Sequence, residues 1–348
     1  MSNKVIRIGK MEVSSSTAPM IIAEMSGNHN HSLDRALSIV KAAANAGAHA
    51  IKLQTYTADT MTVPGALTIT DQNSLWFGRE LYDLYAEAHT PWEWHKPVFD
   101  YAKSLGLVAF STPFDESAVD FLESLDVPAY KISSFENTDW PLLKKVGKTK
   151  KPVIISTGAA TVSQIAEAVE ILRSSGCSEL ILLKCTSTYP ATPESTNLLT
   201  IPHMSQLFGC HVGLSDHTRG IGVAIASVAL GARVIEKHFT LRRADGGVDS
   251  AFSIEPEELS KLVEESERAF LSIGEVYYGV QKPEEESLRY KRSLYVTEDI
   301  KAGEYFTKEN VRVIRPGNGL EPRFYEAVLG KQSKNNIKAG TPLTWDNI

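Results

Sequence analysis

The chain has 348 residues, 43% hydrophobic and 22% charged, with 36 basic against 42 acidic side chains and a net charge of -6. That length exceeds one ordinary core and calls for a large domain with a smaller companion. The balance excludes disorder, collagen-like repeat and coiled coil, and gives no reason to expect a nucleic-acid or membrane-surface partner.

No run of about 18 apolar residues appears, so no membrane span is expected. Met1 to Met11 has basic residues but no long apolar segment behind them, and does not read as a secretory signal. Cys177, Cys185 and Cys210 lack CxxC spacing and read as reduced thiols. Both points fit a cytoplasmic enzyme.

In chain order, short β-branched runs alternate with amphipathic stretches. The runs are Met20 to Ala23, Ala50 to Leu53, Leu107 to Phe110, Ala129 to Ile132, Pro152 to Ile155, Leu180 to Leu183, His211 to Leu214 and Arg233 to Glu236. Between them lie helical segments such as Ser32 to Ala46, with Leu33, Leu37, Val40 and Ala44 as its apolar stripe and Gly47 as its stop. Pro91 to Leu105 follows Thr90 as N-cap; Thr161 to Leu172, Arg219 to Leu230 and Glu257 to Leu271 behave alike. Eight such units match a (β/α)8 barrel with parallel strands. A doubly wound open sheet is the alternative, but its usual GxGxxG turn is absent.

The connection Thr57 to Thr90 is long and carries Trp76, Phe77, Tyr82 and Tyr85. It reads as a partial lid beside the barrel mouth, or as a surface insertion packing its aromatics on the barrel. The barrel is expected over residues 1–280. Residues 281–292 are charged, without apolar periodicity, and read as a linker. Residues 293–348 form short alternating segments in which Ile-Lys-Ala-Gly occurs twice, at 300–303 and 337–340. They read as a small β-rich domain whose halves use similar turns.

Active sites of such barrels lie at the C-terminal ends of the strands. Here the runs end in Glu24; Lys52 and Gln54; Ser111 and Thr112; Lys131, Ser133 and Ser134; Ser156 and Thr157; Lys184, Thr186, Ser187 and Tyr189; Ser215, Asp216 and His217; and Glu236, Lys237 and His238. Residues i and i+2 share a face, so Lys52 pairs with Gln54 and Glu236 with His238. Lysines with serine and threonine hydroxyls suit a phosphate. Two imidazoles ending adjacent strands suit a divalent metal with open positions. Glu24 suits a general base or an orienter of water. The bland alternative is a set of structural salt bridges inside the barrel. A Schiff-base aldolase or lyase using Lys131 or Lys184 is a further alternative. So is a non-enzymatic sugar-phosphate or ice-binding module, which leaves the eight polar strand ends unexplained.

The chain resembles the sialic acid synthase family, most closely its pseudaminic acid synthase branch. The resemblance runs through Ile22-Ala23-Glu24, Gly27-Asn28-His29-Asn30, Lys52-Leu53-Gln54-Thr55, Ser111-Thr112-Pro113-Phe114-Asp115, Tyr130-Lys131-Ile132-Ser133-Ser134 and Ile155-Ser156-Thr157-Gly158. It continues through Gly213-Leu214-Ser215-Asp216-His217-Thr218, Ile235-Glu236-Lys237-His238-Phe239-Thr240 and Arg315-Pro316-Gly317-Asn318-Gly319. It implies a (β/α)8 barrel joined to a small antifreeze-like (SAF) domain. It implies condensation of phosphoenolpyruvate with an amino sugar, here 2,4-diacetamido-2,4,6-trideoxy-altropyranose, giving a nonulosonic acid and phosphate. N-acetylneuraminate or legionaminate synthesis is the alternative within the family. It also implies a divalent metal (Mn2+ or Mg2+) and a homodimer whose small domain covers the partner's barrel.

By the same resemblance, Lys52, Thr112, Lys131, Ser134 and Ser156 hold phosphoenolpyruvate, and His217 and His238 are metal ligands. Glu24 helps deliver water or stabilise the reacting carbon. Gln54, Tyr189, Glu236 and Asp249 lie near the sugar or the metal's water shell, and Arg315 reaches the sugar from the neighbouring subunit. Two departures stand out. Ser187 occupies a position where the family commonly has asparagine. Gly247-Val248-Asp249-Ser250 replaces a common Gly-Pro-Asp-His.

Overall fold

The computed structural model describes residues 4–348, which divide after Gly274 into two compact units. The first opens with a hairpin that the sequence reading missed: β1 (Ile6–Ile8) and β2 (Met11–Val13) pair antiparallel. Its buried Ile6, Ile8 and Val13 join Met20, Val108 and Ala129 in one core. These partners begin barrel strands, so the hairpin closes the barrel's N-terminal end.

Eight parallel strands then form a closed barrel: β3 (Met20–Glu24), β4 (Ala50–Thr55), β5 (Val108–Pro113), β6 (Tyr130–Ile132), β7 (Val153–Ser156), β8 (Leu180–Cys185), β9 (His211–Asp216) and β10 (Val234–His238). Each neighbours the next in sequence, and β10 closes on β3 with His238 opposite Glu24. The (β/α)8 expectation therefore holds. Alternation sorts the side chains. One set, with Ile22, Ala50, Phe110 and Leu183, fills the barrel below the mouth. The other, with Ile21, Ala23, Ile51, Leu53, Leu214 and Ile235, packs on the surrounding helices. Gly213 lies inside. A Cβ there would stand 2.6 Å from Leu183 Cδ2 and 2.1 Å from Val234 O, so only glycine lets these strands approach.

The expected helices are present with shifted details. Leu33–Asn45 is capped by Ser32, but its buried row is Ala36, Ile39, Val40 and Ala43. Both rows have helical spacing. The smaller alanines face the strands, and Leu33, Leu37 and Ala44 sit half-buried at the edges. Trp92–Ser104 takes Pro91 as its N-cap rather than Thr90. The Thr90 hydroxyl is engaged elsewhere, 3.2 Å from His29 Nε2. Thr161 caps Val162–Ser174 in a reciprocal box with Gln164.

The second unit begins at Glu275. Where the sequence reads a linker, Lys282–Tyr290 forms a 3-10 helix. Strands β11 (Ser293–Val296) and β12 (Val311–Ile314) pair antiparallel over a core of Leu294, Val296, Ile300, Phe306, Val328, Ile337 and Leu343. The two Ile-Lys-Ala-Gly copies meet directly. Ile300 and Ile337 exchange both backbone hydrogen bonds (2.8 and 2.7 Å), and Gly303 and Gly340 turn the chain at φ 85° and 86°. Among the described residues, no helix is long and apolar enough to cross a membrane.

Candidate active site

All eight barrel strands deliver a polar side chain to one cavity. It is lined by Glu24, Lys52, Gln54, Thr112, Lys131, Ser133, Ser134, Ser156, Tyr189, Ser215, His217, Glu236 and His238, all among the strand-end residues read from the sequence, together with Cys185. Ser215 is a strand-end hydroxyl of the expected kind. Cys185 carried no signal beyond its place two residues before Ser187, because buried cysteine is usually packing.

Four charges sit at the bottom. Lys52 Nζ lies 2.6 Å from Glu24 Oε2 and 3.8 Å from Glu236 Oε2, and Lys131 Nζ lies 3.2 Å from Glu236 Oε1. Lys52 also donates to Thr112 Oγ1 (2.9 Å), Gln54 to Glu24 Oε1 (3.1 Å) and Ser215 to Glu236 Oε1 (3.0 Å). The two carboxylates differ. Burial pushes Glu236 up, but the ammonium groups of Lys131 and Lys52 outweigh it and hold it below the usual range, ionised. Burial raises Glu24, and Glu236 adds to it, against the pull of Lys52. One carboxylate is thus a fixed anion and the other is poised to exchange a proton.

The opposite wall is aromatic. The imidazoles of His217 and His238 have centroids 5.3 Å apart. Tyr189 lies over His217 at 4.4 Å, and Phe252 backs His238 at 4.9 Å. Trp76 of the long 57–90 connection reaches Tyr189 at 5.8 Å and donates its indole N–H to Val248 O (3.0 Å). This places the segment beside the cavity, as both readings of it require. His217 Nδ1 shares a hydrogen bond with Thr186 O (3.0 Å), leaving Nε2 for another partner. Burial, with His217 and Lys52 nearby, holds His238 well below its usual value, hence neutral. Its Nδ1 is buried without a hydrogen-bond partner, 3.8 Å from Asp249 Oδ2. Burial lowers His217 too, but the Cys185 thiol, the Thr186 carbonyl and Glu236 outweigh it and raise His217 above its usual value. The two imidazoles, one with an orphaned nitrogen, fit a divalent cation that displaces the His217 proton. Among the described residues no third imidazole, carboxylate or thiol completes such a group. Water or substrate would supply the remaining positions.

Ser187 and Asp249 lie beside the cavity rather than in its lining. A Cβ on Gly158 would meet Ser187 Oγ and Ser134 Oγ, so both hydroxyls crowd that glycine. The Ser134 hydroxyl also accepts from Gly158 N (3.2 Å). Asp249 accepts from the Ser26 hydroxyl. Arg315 follows β12 in the second unit, where it is exposed. Lys184 turns outward, donating to Cys185 O (2.8 Å) and Thr186 Oγ1 (3.2 Å). The Schiff-base alternative therefore keeps only Lys131, which is tied to Glu236. A second residue, besides Cys185, escaped the sequence reading. Glu136 bonds the Ser133 hydroxyl, and burial raises its carboxyl to about 7. Only its place three residues past a lining serine marked it.

A closed barrel with a charged ring and paired imidazoles at its C-terminal mouth defines a TIM-barrel enzyme. Comparison with known proteins names the family. The NeuB family profile matches residues 39–278 and the SAF domain profile residues 291–348. A pseudaminic acid synthase of Campylobacter jejuni subsp. jejuni is 43% identical over 324 residues, 93% of this chain and 94% of that one. One of Helicobacter pylori is 41% identical over 95% of this chain and 98% of its own. The crystal structure of an N-acetylneuraminic acid synthetase from Leptospira borgpetersenii superposes with a TM-score of 0.74 at 31% identity, covering 83% of this chain and 96% of that one. The chain belongs to the NeuB family.

Proposed function

We propose that this chain is a pseudaminic acid synthase. It condenses phosphoenolpyruvate with 2,4-diacetamido-2,4,6-trideoxy-altropyranose and water, giving pseudaminic acid and phosphate. The observation that carries this reading is one cavity with two buried ammonium groups and a rim of hydroxyls facing two imidazoles. The identity to two pseudaminic acid synthases over nearly the whole chain supports the choice of sugar.

Lys52, Lys131, Thr112, Ser134 and Ser156 hold the phosphate and carboxylate of phosphoenolpyruvate, charge from the lysines and directed donors from the hydroxyls. Gln54, Tyr189, Glu236, Asp249 and Ser187 orient the open-chain sugar. A divalent cation (Mn2+ or Mg2+) held by His217 and His238 would polarise the aldehyde oxygen when bound. The methylene carbon of phosphoenolpyruvate forms a bond to the aldehyde carbon, leaving positive charge at the enol carbon. Glu24 takes a proton from the water that adds there. The tetrahedral carbon then collapses to a ketone: the added hydroxyl loses its proton, the carbon–oxygen bond to phosphate breaks, and the two protons drawn from the water end on the former aldehyde oxygen and the departing phosphate. Lys52 and Lys131 stabilise the charge that leaves with it. Arg315 closes on the sugar from the small domain of a partner subunit in a homodimer.

The test is mass spectrometry of products from phosphoenolpyruvate and a panel of amino sugars, with phosphate release followed alongside. Pseudaminic acid as the fastest product supports the reading. Faster N-acetylneuraminate or legionaminate formation replaces the sugar, and no product with any sugar ends the synthase reading. Full activity after chelation by EDTA removes the metal.

A further inference from the structure

The strand ends that carry the two histidines also carry a second layer of charge on the opposite face. Asp216 and Lys237 alternate with His217 and His238 and point away from the cavity, toward the helices. They stand opposite each other in the β9–β10 ladder. Both are buried, with 2% and 1% of their surface exposed, so this pair is not a solvent bridge. Lys237 Nζ donates to Asp216 Oδ2 (2.7 Å) and to Thr218 O (2.6 Å). Asp216 Oδ1 accepts from Thr218 N (2.9 Å) and from Thr218 Oγ1 (2.7 Å). The network therefore grips the residues on both sides of His217 and the residue just before His238.

Stability alone is a poor reason for such a pair. Buried ion pairs replaced by apolar residues of similar size often leave stability unchanged or raise it. Placement supplies a better one. The outward layer ties β9 to β10 at the point where their inward layer presents two rings 5.3 Å apart. Groups hydrogen-bonded to metal-binding imidazoles commonly fix ring orientation and change metal affinity by about 10–100-fold; here the network acts on the backbone beside the rings rather than on the rings themselves.

We propose that Asp216, Lys237 and Thr218 are positioning residues that hold the imidazoles of His217 and His238 at the separation a shared divalent cation requires. This rests on the metal reading above. The experiment uses the full-length, metal-free chain titrated with Mn2+, with the free aquo ion followed by electron paramagnetic resonance. Lys237→Arg keeps the ion pair and is expected to bind within about threefold of the unaltered chain. The double variant Asp216→Leu with Lys237→Met removes both charges together, so no lone charge is left buried. It is expected to stay folded by circular dichroism and to bind Mn2+ at least about tenfold more weakly. Its kcat should fall while KM for phosphoenolpyruvate moves less than about threefold. A folded double variant that binds Mn2+ like the unaltered chain overturns the proposal. If it does not fold, Thr218→Val, which deletes only the hydroxyl donor to Asp216, decides: unchanged Mn2+ affinity overturns the proposal and weaker affinity supports it. An unaltered chain that takes up no Mn2+ overturns the metal reading instead. The inference then turns on the nitrogen-15 imidazole spectrum. A single Nδ1–H tautomer of His217 that becomes mixed in the double variant supports positioning, and an unchanged spectrum overturns it.

Discussion

At the scale of single residues, the site works by giving two similar groups different surroundings. Glu236 sits between two ammonium groups and the Ser215 hydroxyl, so it stays an anion. Glu24 has Lys52 and the Gln54 amide, and burial leaves it easier to protonate. Glu24→Gln keeps the shape but cannot take a proton, and its one oxygen can accept from Lys52 or from Gln54 but not from both. It is expected to lower kcat by about 100- to 10,000-fold and to lower the melting temperature as well, since Lys52 loses its nearest anion. Steady-state phosphate release checks this, and an unchanged kcat removes Glu24 from the chemistry. Gly158→Ala asks a different question. Its Cβ would stand 2.1 Å from Ser187 Oγ and 2.6 Å from Ser134 Oγ, so both hydroxyls must rotate away. KM for phosphoenolpyruvate is expected to rise about tenfold while the barrel stays folded. An unmoved KM means the Ser134 hydroxyl does not hold that substrate.

At the scale of elements, the barrel was legible because strands buried on both faces read as continuous apolar runs, as Val153 to Ile155 and Leu180 to Leu183 do. The polar residue after each run marked the mouth for the same reason. The β1–β2 hairpin was not legible, since two three-residue strands carry no period. Nor was the outward turn of Asp216, Lys237 and Lys184, because a run of polar strand ends does not show which members face the axis until the register is known. The packing of His29 and His95 around the Trp92–Ser104 helix was also not legible. His95 Nε2 lies 2.8 Å from Thr55 Oγ1, and His29 packs edge-on to Trp94 at 5.6 Å. Burial holds each at about 4, with His31, His89 and His95 adding to it at His29, and Glu93 opposing it at His95. Both stay neutral when folded, whereas the unfolded chain takes up protons near 6.5. The stability attached to them is complete above pH 6.5 and is lost as pH falls through the window down to about 4. The loss approaches about 3 kcal/mol for each histidine. Melting temperatures from pH 7 to 4 should fall steeply in the unaltered chain and less steeply in His29→Gln with His95→Gln. Parallel slopes would place the acid sensitivity elsewhere.

At the scale of the whole molecule, the cavity gathers two lysines, two glutamates and two imidazoles, while Arg315 belongs to a separate unit with its own core. That unit is small, and its Ile300–Ile337 pairing and two matched glycine turns make it self-consistent without the barrel. Whether it contributes to the chemistry of a partner's barrel, as proposed, can be read by mixing two inactive chains. Arg315→Ala is expected to lower kcat/KM about 100-fold with an unchanged melting temperature, since the side chain is exposed. Glu24→Gln spoils the barrel but keeps its arginine. If each barrel is completed by the other subunit, refolding the two variants together creates mixed dimers with one intact site. Random pairing then restores about a quarter of normal activity. If the arginine serves its own barrel, every mixed dimer holds two defective sites, and activity stays at the level of the separate variants.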